Sequence, residues 1–293
     1  MDLEKPILLV AFADTHPNSR SGLCPPKFVR PSDGGIYQPN RPQKWLWKCW
    51  LDFWNVWVRG LADAAGAETW AICAGDGADD NTHDRYGLIS LSPADIVELS
   101  CQAHRPAREA AAHLFWVRGT PAHAGEGGGL EELVARRMEA EQDPQTGARS
   151  RWQWRMEVAG VKIDCRHHAA TYSWTPWTRG ADANRQAARE EHAYRDNWRD
   201  RPDVSLFGHG HYFSDSGGTH DIRAIYLPSW QCATLYAVRK GSPPELAEVG
   251  GVALLCRGGK YELHVKRYEL PPERRWRVEK EKEGGSGRAA PGT

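Results

Sequence analysis

Five short apolar runs punctuate the 293-residue chain: "PILLVAFA" (6–13), "TWAICAG" (69–75), "HLFWVRG" (113–119), "VKIDC" (161–165) and "VSLFG" (204–208). Runs of this length, rich in Val, Ile and Phe and closed by small or polar residues, read as strands. Helical patterns separate several of them, so the expected fold class is α/β, built in layers. No linker or composition shift interrupts the pattern before about Pro272. One domain over 1–275 is therefore expected, long enough to bury a sizeable core. Residues 276–293 are charged and then Gly/Ser-rich without periodicity, and are expected to form a disordered tail.

The clearest helix is "PQKWLWKCWLDFWNVWVRGLADAAG", where Trp47, Trp50, Leu51, Trp54, Val58 and Leu61 recur at three- and four-residue steps before Gly66 ends the run. That spacing assigns the tryptophans to the core rather than to a base-stacking surface. A second helix starts at "SPADIVELSCQAHR", with Ser92 as N-cap and Pro93 in the first turn. "LEELVARRMEAE" is a third, and "NRQAAREEHAYRDNWRD" reads as a charged surface helix. "RWQWRMEVAGVKIDCRHH" and "VGGVALLCRGGKYELHVKRYEL" alternate apolar and polar residues around a Gly-containing turn, as antiparallel hairpins do.

The chemistry sits just beyond the strands. Asp14 and His16 follow the first, Asp76 and Asp79 the second, His123 the third, His167 and His168 the fourth, and His209 and His211 the fifth. Ligands of open α/β sheets gather at the carboxyl ends of strands. One Asp or His there is usually a cap or a solvated loop residue, whereas five strand ends so stocked point to a metal centre. Carboxylate and imidazole donors suit Mn²⁺, Fe or Zn²⁺. The seven cysteines are scattered without C-x-x-C spacing, which argues against a disulfide framework or a thiolate zinc knot and favours a reducing cytoplasm. The N-terminal apolar run is too short for a signal peptide, and no segment approaches a membrane span. Lys+Arg and Asp+Glu both number 38, so no global field attracts a polyanion.

"D-T-H" at 14–16, "G-D-x-x-D" at 75–79 and "G-H-G-H" at 208–211, in that order, resemble the calcineurin-like metallophosphoesterases over about residues 7–270. "G-T-P-A-H" (119–123) and "H-H...P-W-T-R-G" (167–180) also resemble phosphoesterases encoded by bacteriophages and prophages, which would place the chain in a bacterial host's cytoplasm. The resemblance implies a four-layer α-β-β-α sandwich, two mixed sheets flanked by helices, with a binuclear site at one edge. It implies that Asp14, His16 and His211 hold one divalent ion, His209 and a histidine of "CRHH" the other, and that Asp76 bridges them. His167 is favoured from "CRHH", with His168 as the alternative. Mn²⁺ is the favoured ion, with Fe, Zn and Ni as alternatives. Asp79 would then orient a ligand imidazole.

The departure lies in the third motif, where the family carries Gly-Asn-His and this chain has "GTPAH". Thr120 or Asn81 is a candidate to replace the missing oxygen ligand, and His123 to replace the histidine near the leaving group. The implied activity is hydrolysis of a phosphodiester (nucleic acid or nucleotide) or a phosphomonoester by hydroxide formed at the two metals. Arg20, Arg166 and Arg179 are candidates for holding further phosphates, and Trp174 and Trp177 for stacking on a base. The alternative from another class is a metal-binding scaffold of the same fold that hydrolyses nothing. Neither G-x-S-x-G nor H-x-H-x-D-H occurs, which leaves serine-hydrolase and metallo-β-lactamase chemistry unsupported. The oligomeric state is not legible.

Overall fold

The computed structural model describes residues 5–80, 85–173, 175–239 and 247–271. The strands are β1 (Ile7–Phe12), β2 (Phe28–Val29), β3 (Ile36–Tyr37), β4 (Glu68–Cys73), β5 (His113–Trp116), β6 (Gln153–Val158), β7 (Val161–Arg166), β8 (Val204–Phe207), β9 (Ser214–Asp215), β10 (Arg223–Tyr226), β11 (Val249–Arg257) and β12 (Lys260–Tyr268). They form two five-stranded sheets, ordered β12-β11-β1-β4-β5 and β6-β7-β8-β10-β9, and a small β2-β3 ribbon. Both large sheets are mixed. β1, β4 and β5 run parallel, with β11 and β12 antiparallel at the edge. β7, β8 and β10 run parallel, between antiparallel β6 and β9. The two expected hairpins are β6–β7 and β11–β12.

The layers follow from the alternation of side chains across each strand. Leu9 and Ala11 of β1, Ile72 of β4, Ile163 of β7, Leu206 of β8 and Ile225 of β10 meet in one apolar cluster between the sheets. Leu8, Val10 and Phe12 point the other way, into a cluster with Trp50, Phe53, Trp54, Ile96 and Trp116. Both faces of β1 are thus covered, which is why its sequence is continuously apolar. Helix α1 (Arg41–Asp52) passes through a π-helical stretch (Phe53–Val58) into α2 (Arg59–Ala65), and Gly66 ends the run in the left-handed conformation. Trp50 and Trp54 pack edge-on against Phe12 at 5.3 and 5.7 Å, so these tryptophans are core. The hydrogen-bond span lengthened by one residue in the π stretch is not visible in a periodicity count.

Helix α3 (Pro93–Ala110) begins where expected, but Ser92 makes no capping bond through its side chain. Asp95 gathers the local donors instead, accepting from the Ser90 and Ser32 hydroxyls. After the short α4 (Pro121–Ala124) and α5 (Gly129–Arg137), α6 (Arg179–Ala193) covers the outer face of the second sheet. It differs from the surface helix the sequence suggests. Ala183 and Ala187 pack on Phe207 and Tyr226, while Asp182, Gln186 and Glu190 are buried. Those polar groups are paired: Asp182 accepts from the Tyr212 hydroxyl, and Glu190 from Ser205 and Arg166. Among the described residues, no helix is long and apolar enough to cross a membrane. The expected tail, 276–293, lies outside the described residues.

Candidate metal centre

The loops leaving β1, β4, β5, β7 and β8 converge at one edge of the sandwich, tied together by their backbones. The Asp14 N–H donates to Gly75 O at 3.0 Å, and the His16 N–H to Asp76 O at 3.1 Å. The His209 N–H donates to Asp14 Oδ2 at 2.9 Å, and the Thr120 N–H to Asp76 Oδ1 at 2.7 Å. Seven described non-glycine residues have positive φ, and five of them are Asp14 (53°), His16 (40°), Asp76 (52°), His209 (65°) and His211 (56°). Each such conformation costs about 1–3 kcal/mol, and strain of this kind concentrates where function requires it.

The free ends of these side chains face one another. Asp14 Oδ1 lies 3.2 Å from His211 Nε2 and 3.9 Å from both His16 Nε2 and His167 Nε2. Asp76 Oδ2 lies 3.2 Å from His167 Nε2 and 3.7 Å from His16 Nε2. Four sets of three donors lie within 4.8 Å of one another: Asp14/His16/His211, His16/Asp76/His123, Asp14/Asp76/His167 and His167/His168/His209. Asp14, His16, Asp76 and His167 are buried; His209 and His211 are half-buried, and His168 is exposed.

This donor set fits a cation. Asp14 Oδ1 and His16 Nε2 are buried without a hydrogen-bond partner, although most buried polar atoms have one. His167 donates through Nδ1 to Ala74 O at 2.8 Å, which leaves the Nε2 lone pair facing the two carboxylates, as metal-ligating histidines do. Burial works against charge on Asp14, but the His211 imidazole outweighs it and holds the carboxyl down at about 2. Asp76 is likewise held well below the ordinary carboxylate range against burial, chiefly by His167. Burial disfavours the charged form of His167 too, but in the metal-free protein Asp76 overrides it and raises His167 to about 10, so Nε2 then carries a proton that a bound cation would displace. Two ionised, desolvated carboxylates require positive charge beside them.

Asp79 stands behind this cluster. Its Oδ2 is 3.3 Å from His16 Nδ1, and its Oδ1 accepts from His123 Nδ1 at 2.8 Å. Burial opposes charge on His123, but the hydrogen bond to Asp79 prevails and lifts it to about 9. Thr120, at the start of α4, places its hydroxyl 3.3 Å from Asp76 Oδ2, 3.2 Å from His167 Nε2, 3.4 Å from His168 Nε2 and 3.2 Å from His209 Nδ1. Both histidines of "CRHH" therefore reach the cluster.

The arginines do not join it. Arg20 donates to Leu88 O, Arg166 is paired with Glu190 over the Phe207 ring, and Arg179 lies over Tyr212, 4.0 Å from Glu248. Trp177 is 84% exposed on the turn before α6. Asn81 and Trp174 lie outside the described residues.

Two residues escaped the sequence reading. Glu131 of α5 is fully buried and accepts from the backbone N–H groups of Gly77 and Gly119, which flank Asp76 and Thr120. Burial, with the charge of Asp76 behind it, pushes its carboxyl up to about 7. An acid in a first helical turn ordinarily reads as a solvated dipole partner, so nothing marked it. His104 of α3 is also fully buried, bonded through Nδ1 to Ser100 O at 2.7 Å and through Nε2 to Thr15 Oγ1 at 2.9 Å. Its place on the apolar face of α3 was the available signal.

The fold and site thus define a two-sheet α/β sandwich with a carboxylate–imidazole cluster at the carboxyl ends of its strands. No protein-family model and no curated protein matches the chain. Among solved structures, it is similar to vacuolar protein sorting 29 from Cryptosporidium parvum (13% identity, TM-score 0.37, covering 91% of this chain and 100% of that one). It is similar also to Vps29 from Chaetomium thermophilum (12%, 0.39, 91% and 98%). A third is the 5'-nucleotidase from Candida albicans SC5314 (12%, 0.41), where the match covers 85% of this chain and 47% of that one. The likeness is one of fold, and the reading of function rests on the side chains.

Proposed function

We propose that the protein is a metal-dependent phosphoesterase of the calcineurin-like type, acting on a phosphodiester of a nucleic acid or nucleotide, or on a phosphomonoester, with Mn²⁺ as an effective ion. The observation that carries this reading is the convergence of Asp14, His16, Asp76, His167, His209 and His211, with Asp14 Oδ1 and His16 Nε2 buried there without a hydrogen bond. Asp14, His16 and His211 would hold one ion, and His167 and His209 the other. Asp76 Oδ2 faces both groups and would bridge them. Divalent ions held there supply positive charge to a phosphoryl group and make water acidic near neutral pH.

The remaining steps belong to the chain. Thr120 fixes Asp76 through its backbone N–H, so that Oδ1 is occupied and Oδ2 faces the cluster. Asp79 holds His123 by Nδ1, and the other ring nitrogen would carry a proton for the leaving oxygen. Trp177, exposed in the chain that follows His168, is the remaining candidate for stacking on a base.

The test is hydrolysis of bis(p-nitrophenyl) phosphate beside p-nitrophenyl phosphate by metal-stripped protein titrated with Mn²⁺, then Zn²⁺, Ni²⁺ and Fe²⁺. Metal-dependent turnover that Asp76→Asn abolishes is the expected result, and the preferred ester assigns the diesterase or phosphatase reading. Metal binding with no turnover of either ester would replace it with the scaffold alternative.

A further inference from the structure

The calcineurin-like reading leaves one ligand unaccounted for. Where that family carries an asparagine, this chain has Thr120, whose neutral hydroxyl is a weak donor. Around that hydroxyl the structure assembles more than the resemblance calls for: Asp76 Oδ2, His167 Nε2, His168 Nε2 and His209 Nδ1, all at 3.2–3.4 Å. His167 and His168 were alternatives in the sequence, yet both rings are present. His168 lies edge-on to His167 at 4.7 Å and tilted against His209 at 4.5 Å.

We infer that His168 is a ligand of the second metal beside His167 and His209, replacing the missing side-chain amide, and that three imidazoles make this position prefer Zn²⁺ over Mn²⁺. This rests on the metallophosphoesterase reading above. The first position offers two carboxylates, Asp14 and Asp76, and two imidazoles, His16 and His211. The second would take the cluster of three imidazoles, His167, His168 and His209, with Asp76 shared through its approach to His167. Carboxylate-rich sites suit Mn²⁺, whereas imidazole favours Zn²⁺, Ni²⁺ and Fe²⁺, so the two positions differ in selectivity by donor chemistry alone. His168 reaches the centre from the residue next to His167, so a single loop after β7 supplies two of the three nitrogens.

The experiment is calorimetric titration of the metal-stripped 293-residue chain with Zn²⁺ and, separately, Mn²⁺, for the unaltered protein, His168→Ala and His167→Ala, with metal content measured after dialysis. The unaltered protein should bind two Zn²⁺, and Mn²⁺ weakly at one of the two positions. His168→Ala should weaken one Zn²⁺ equivalent by at least about tenfold, the scale seen even for groups behind a ligand, and leave the other unchanged. Thermal melting of the metal-free variant should match the unaltered protein, because the side chain is exposed. A His168→Ala protein holding two Zn²⁺ at unaltered affinity, while His167→Ala loses one, overturns the inference and leaves the phosphoesterase reading intact. Because Zn²⁺ outbinds Mn²⁺ at most nitrogen and oxygen sites, the ratio decides: an equal Zn²⁺/Mn²⁺ affinity ratio at the two positions overturns the selectivity. An unaltered protein that binds neither ion refutes the underlying reading itself.

Discussion

Asp79 Oδ1 accepts a hydrogen bond from His123 Nδ1 at 2.8 Å, and the other oxygen of the same carboxylate lies 3.3 Å from His16 Nδ1. One buried acid therefore holds the His123 ring by a hydrogen bond and faces His16 with its other oxygen, the first ring proposed for proton transfer and the second for the metal. His123→Asn removes the proton carrier without touching the ligands on the other loops. We expect it to lower kcat by about 10²–10⁴-fold on an alkyl phosphate ester, and far less on a nitrophenyl ester, whose leaving group needs no acid. Steady-state kinetics on the two esters, with metal content measured alongside, checks this. Equal losses on both would remove His123 from the acid role.

Asp79→Asn keeps the volume of the side chain but leaves one amide to face two imidazoles. Metal affinity should fall by about 10–100-fold and the His123 effect should appear in the same variant, because His123 loses its charged hydrogen-bond acceptor and His16 the carboxylate 3.3 Å from its Nδ1. Equilibrium dialysis against Mn²⁺, followed by the two-ester assay, separates these losses. A variant with unaltered affinity and rate would show that the rings are held by packing alone.

Gly119 is demanded by close approach. A Cβ placed there would lie 2.0 Å from Asp76 Oδ1 and 2.3 Å from Asp76 N, both in a loop strained at φ 52°. Gly119→Ala should displace Asp76 and abolish metal-dependent turnover, while circular dichroism keeps its native shape. Retained activity in a folded Gly119→Ala protein would contradict the assignment of Asp76.

Glu131 receives two backbone N–H groups in a fully buried site. Glu131→Ala leaves both donors unpaired, at about 1–3 kcal/mol each. Urea denaturation of the metal-free protein should show that loss, and metal binding should weaken because Gly77 and Gly119 flank Asp76 and Thr120. A change below about 0.5 kcal/mol, the usual range for surface substitutions, would show that water or main-chain movement replaces the carboxylate.

Burial lowers His104 from 6.5 to about 4, the hydrogen bond to Ser100 O opposing only part of the shift. The unfolded chain therefore binds the extra proton between those values. Stability contributed by neutral His104 is complete above about pH 6.5 and is lost as pH falls through about 4. At 1.36 kcal/mol per unit, the full loss is about 3 kcal/mol. Denaturation of the metal-free protein and of His104→Gln at pH 7, 5.5 and 4 checks the sign: the unaltered protein should weaken relative to the variant as pH falls. A constant difference across the three would mean that His104 does not titrate in this window.

The sequence by itself determined the strands and the ligand-type residues at their ends. Continuous apolar runs such as Ile7–Phe12 specify a strand covered on both faces, and the Asp and His residues placed just after β1, β4, β7 and β8 are local features of the chain. Strand periodicity and residue type are short-range properties, so they survive in one dimension. The tertiary structure alone decided which donors meet. Thr120 finds His209 across 89 positions, His209 finds Asp14 across 195, and Arg166 turns to Glu190 on α6 instead of to the centre. It also brought the His168 ring beside His167 and His209, and made Glu131 and His104 buried partners of the site loops. Such pairings depend on where two sheets place their edges and on which buried polar groups must find one another. No local pattern in the chain encodes those distances.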